Sequence, residues 1–119
     1  MGLRIPVKLK HNDKEVEVNA LLNIGFETDE PVVALPLTIA SQLNLTPGEK
    51  RFYLGPGALV GEVYLAGEVT ITVKVGESER SIKAYAVIEP REEEIILSDR
   101  AIAELGIVVD LKHMKWWLV

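Results

Sequence analysis

The chain has 119 residues, one domain's length, and 48% of them are hydrophobic, too many for a disordered polymer. A chain of this size buries roughly two thirds of its unfolded surface, so it needs neither metal nor disulfide to fold. It has no cysteine and a net charge of −5, which argues against a disulfide scaffold and against the basic face of a nucleic-acid binder.

The N-terminus, Met1-Gly2-Leu3-Arg4-Ile5-Pro6, carries no long apolar run, so neither a signal peptide nor a spanning helix is expected. With the missing cysteines this predicts a cytoplasmic protein.

Leu3 to Lys10 alternates apolar and polar residues and predicts a strand. His11-Asn12-Asp13-Lys14 has turn chemistry, because Asn and Asp bond their own backbone and tolerate left-handed φ. Glu15 to Leu22 follows as the returning strand, with Val16, Val18, Ala20 and Leu22 on one face. Asn23 to Glu30 breaks the pattern and predicts a loop. Pro31 to Leu35 is a short apolar strand, and Pro36 suits the first turn of a helix over Leu37, Ala40 and Leu43. Asn44 takes the left-handed stop.

Beyond the Pro47-Gly48 turn, Arg51 to Leu54 and Ala58 to Tyr64 flank Gly55-Pro56-Gly57, a predicted hairpin tip. Glu68 to Val75 alternates, Gly76-Glu77-Ser78 turns the chain, and Ser81 to Ile88 returns. Ile95 to Leu97 is again short and apolar. Ser98 or Asp99 then caps a helix whose buried side is Ala101, Ile102 and Leu105, and Gly106 ends it. Ile107 to Val109 and Trp116 to Val119 are final strands around a polar turn.

The order recurs: hairpin, loop, short apolar strand, short helix. Val33 to Leu45 can be laid on Ile95 to Ile107 without a gap, so Leu35 meets Leu97, Leu43 meets Leu105, and Asn44 meets Gly106. The predicted class is all-β with two short helices, formed by an internal pseudo-twofold duplication.

In that frame Leu21-Leu22-Asn23-Ile24-Gly25, the strand and helix from Val32 to Leu45, and Ile95-Ile96-Leu97-Ser98-Asp99 with its helix and Gly106-Ile107 resemble the retropepsin-like aspartic proteases over nearly the whole chain. The resemblance implies a closed β barrel, one per subunit of a homodimer, with an Asp-Thr/Ser-Gly motif in the loop and a flap at Gly55, Pro56 and Gly57. Members of the family use two Asp, one from each chain, which share a proton and activate water. Here Asn23 replaces the Asp and Ile24 the hydroxyl residue; only Gly25 matches. An amide cannot take a proton from water near neutral pH. The expected function is therefore a homodimeric peptide- or protein-binding module without catalysis and without a cofactor. One alternative is an active endopeptidase drawing its acid from Asp29, Asp99 or another protein, or one silenced by an introduced Asn23. A second is a purely structural β domain.

Trp116-Trp117 places one ring on each face of a strand, one sealing the core. With Leu118 and Val119 this apolar end is the expected dimer contact. Glu27, Asp29 and Glu30 read as a solvated acidic loop, Asp99 as a helix cap, and His11 and His113 as surface residues without metal-ligand spacing. No P-loop, nucleophile elbow or dinucleotide fingerprint is present.

Overall fold

The structure, a computed structural model, describes residues 2–54 and 60–119. In chain order they form β1 (Arg4–His11), β2 (Lys14–Leu22), β3 (Val32–Leu35), α1 (Leu37–Gln42), β4 (Lys50–Leu54), β5 (Val60–Val75), β6 (Ser78–Ile88), β7 (Ile95–Leu97), α2 (Asp99–Glu104), β8 (Ile107–Asp110) and β9 (Lys115–Leu118). Strand accounts for 55% and helix for 11%, so the domain is mainly β, as its Val-, Leu- and Ile-rich alternation predicts.

Six strands close a barrel in the order β1-β2-β7-β3-β6-β5 and back to β1, while β4 extends the sheet along β5. Closure pairs each of these six strands on both sides, which edge-strand avoidance favours, and leaves β4 at the end of the sheet. The β1–β2 hairpin turns at Asn12, whose φ of 54° is left-handed. The neighbours that sequence alone does not give are the parallel pairs. β2 lies parallel to β7, with Ala20 opposite Ile95, and β6 lies parallel to β3, with Ala86 opposite Val33. Between them β3 and β7 run antiparallel, Ala34 opposite Ile96. Across the barrel, β1 and β5 meet antiparallel around Leu9 and Ile71.

These pairings are exchanged when β1, β2, β3 and α1 are replaced by β5, β6, β7 and α2. Leu9/Ile71, Ala34/Ile96, Leu35/Leu97 and Leu43/Leu105 stand at one constant spacing along the chain. Both leucine pairs are fully buried, and both helices stop on a left-handed residue, Asn44 at φ 56° and Gly106 at φ 72°. Gly106 is also needed for space: a Cβ there would come within 2.9 Å of Arg80 Nη1 and 3.1 Å of the Val119 carbonyl oxygen.

The core is one cluster from the inward positions of both hairpins and of β3 and β7, including Ile5, Leu9, Val33, Ile71, Val73, Ile88 and Leu97. α1 and α2 add Ala40, Ala101 and Ile102, and β8–β9 adds Ile107, with Val109, Trp116 and Leu118 packed partly buried against it. Trp117, one residue on, points outward and is 44% exposed. The two rings therefore take opposite faces, as strand alternation requires.

Three boundaries differ from expectation. Pro36 does not enter the helix; it is the extended N-cap residue, with ψ 157°, and its carbonyl accepts the Ala40 N–H. Residues 60–64 and Glu68–Val75 belong to one long strand, Val60–Val75, with a bulge between Leu65 and Glu68 where Gly67 adopts φ 94°; the start predicted at Ala58 lies outside the described residues. β6 begins at Ser78, because the Gly76-Glu77 turn is tight enough for Val75 to pair with Ser78.

Candidate functional site

The loop from Asn23 to Glu30 leaves the end of β2, a strand held by neighbours on both sides. The Asn23 N–H donates to the Leu97 carbonyl oxygen at 3.3 Å, and the Phe26 N–H to the Asn23 carbonyl oxygen at 3.1 Å. The Asn23 side chain folds over this turn, its Oδ1 accepting the Gly25 N–H at 3.0 Å. Gly25 has no left-handed φ. A Cβ there would lie 3.3 Å from Asn23 Oδ1, a tight contact with an exposed side chain. Ile24, between them, is 59% exposed, a large apolar side chain at the tip of a polar loop.

Farther along, the loop is fastened to the start of α2. The Asp99 N–H donates to the Phe26 carbonyl oxygen at 2.9 Å, and Asp99 Oδ1 accepts the Thr28 N–H, also at 2.9 Å. The same oxygen accepts the Arg100 N–H at 2.7 Å. Beside it, fully buried Ser98 accepts the Val32 N–H at 3.0 Å and the Ala101 N–H at 3.2 Å through its hydroxyl, and donates its own N–H to the Val32 carbonyl oxygen. Ser98, rather than Asp99, is thus the cap of α2. Asp99 thus fastens the loop to α2 through Oδ1 and its own backbone N–H.

A second loop matches the first. Glu89 follows β6 as Asn23 follows β2. Its N–H donates to the Leu35 carbonyl oxygen at 2.9 Å, the Glu92 N–H donates to its carbonyl oxygen at 3.1 Å, and its Oε1 accepts the Arg91 N–H at 3.1 Å. Each bond has its counterpart in the Asn23 loop. The surroundings differ, since Glu89 is only 8% exposed whereas Asn23 is open to solvent. At the far end of this second loop Glu94 pairs with Arg4 of β1, and the Arg4 guanidinium hydrogen bond holds its carboxyl below the usual carboxylate range. Glu89 is the residue that sequence reasoning missed. Its equivalence to Asn23 lies in strand register and leaves no similarity of residue type.

The remaining candidates are distributed as follows. Gly55, Pro56 and Gly57 lie outside the described residues. The hairpin that leads to them is anchored at its base, where Lys50 Nζ sits 5.9 Å and 5.7 Å from the Phe52 and Tyr64 ring centres and 3.7 Å from a Glu62 carboxylate oxygen. Trp116 and Leu118 face the core, while Trp117 and Val119 face outward, so half of the predicted dimer segment is already spent on packing. His11 is not a plain surface residue: its Nδ1–H donates to the Leu43 carbonyl oxygen at 2.7 Å and ties β1 to the end of α1. His113 is exposed and pairs locally with Asp110. Glu27, Asp29 and Glu30 are exposed, and among the described residues no group of His, Cys, Asp or Glu is arranged to hold a metal ion. A shallow notch of about 170 Å³ between Pro6, Lys8, Thr72 and Lys74 is built without any residue of the Asn23 loop. Among the described residues no helix is long and apolar enough to cross a membrane.

Comparison with family models, with curated proteins and with solved structures finds no match for this chain.

Proposed function

We propose that the protein is a non-catalytic relative of the retropepsin-like aspartic proteases, built by duplication of one strand–strand–strand–helix unit, and that two copies join to form a cleft for an extended peptide or protein segment. The observation that carries this reading is the Asn23 loop itself. It is a formed turn at the end of a barrel strand, with the motif side chain bonded to the glycine N–H two residues on. It presents Ile24 to solvent where that family places a residue contacting its twin. The exchange of pairings between the two halves supports the duplication, and the closed six-stranded barrel with two short helices supports the family. Asn23 supplies no ionisable carboxyl, and Asp99 is engaged by backbone N–H groups, so the reading assigns no peptide hydrolysis to the natural chain.

The test has two parts. Sedimentation at micromolar concentration reads the assembly, and two chains are expected; a monomer overturns the shared cleft. Peptide hydrolysis then compares the natural chain, Asn23→Asp, and Asn23→Asp combined with Ile24→Thr. The natural chain should be inactive. The double change should exceed the single one, because positioned acid–base groups contribute on the order of 10² to 10⁴ in rate and a loosely oriented pair loses about 10² of it. Hydrolysis by the natural chain that survives Asn23→Ala would place the chemistry on another acid.

A further inference from the structure

We draw no further inference here: the strongest candidate, the patch of exposed apolar side chains on the β8–β9 hairpin formed by Leu111, Met114, Trp117 and Val119, carries nothing, because nothing in the structure shows what covers it and a second copy seated there restates the dimer contact already expected of that segment.

Discussion

The loops that follow β2 and β6 share a backbone and differ in what they expose. In each, the first residue bonds a carbonyl of a neighbouring short strand, accepts an N–H three residues on, and covers the turn with a side-chain oxygen. Yet Asn23 stands in solvent, whereas Glu89 is nearly closed off. The strand pairings fix the form of the turn, since an unpaired N–H beside a strand end must find an acceptor. What the turn exposes depends on the single side chain placed there and on how far it is covered. Their fastenings differ too: backbone bonds to Asp99 hold the first loop, and the Arg4–Glu94 ion pair holds the end of the second.

The largest effects should come from the buried pairs that the exchange of halves relates. Leu35→Ala and Leu97→Ala remove fully buried side chains at equivalent points, and each should cost about 2–5 kcal/mol in urea unfolding. Values that differ by more than about 2 kcal/mol would show that the halves are alike in path and unlike in packing.

Next comes the contrast between the loops. Glu89→Ala should destabilise by about 1–3 kcal/mol, because it removes a nearly buried side chain whose carboxylate accepts the Arg91 N–H. Asn23→Ala, in solvent, should cost no more than about 1 kcal/mol. The reverse order would mean that the exposed loop is the one the barrel depends on.

A smaller effect separates the fastenings. Asp99→Ala should lower stability by about 1 kcal/mol and speed amide exchange at Thr28, while Asp99→Asn, which retains the accepting oxygen, should do much less.

The smallest is a pH effect at the second loop. The folded-state carboxyl of Glu94 is depressed, so its contribution is fully present above the ordinary carboxylate range and is lost as pH falls through the folded value. Arg4→Gln should flatten that acid limb by slightly lowering stability in the neutral region, while stability below the folded value, where Glu94 is protonated, stays unchanged. Both side chains are exposed, so the change should be slight, and 1 M salt should reduce it further.

The sequence made the repeated strand–helix units legible because the same buried positions recur at the same intervals in both. Leu35 and Leu97, Leu43 and Leu105, and the stops at Asn44 and Gly106 could be matched with no structural information. The loops could not. The hairpins preceding them differ in length, so Ala20 corresponds to Ala86 at a different interval from the one that relates Leu35 to Leu97. Residue type gives no help either, since amide and carboxylate perform the same local task. The parallel pairs of β2 with β7 and β6 with β3 join distant segments without a turn to announce them. The single long β5 was obscured by Ala66-Gly67, which reads as a break and is a bulge. In the site, Asn23 and Ile24 were visible as departures from a motif. The fastening of their loop by Asp99 depends on a residue far along the chain, and no local pattern reveals it.

The ring of six strands has a short clasp. β1 and β5 touch over only Lys8–Lys10 and Thr70–Thr72, between two much longer hairpins. Each hairpin can form from its own neighbouring residues, so loop-closure entropy is small within it and larger across the clasp. In time, then, the barrel should assemble as two preformed arms that meet around Leu9 and Ile71, and that seam should open more readily than either arm when the barrel breathes. Deuterium uptake would display this as a narrow band of early-exchanging amides crossing both strands, flanked by slower ones in the arms.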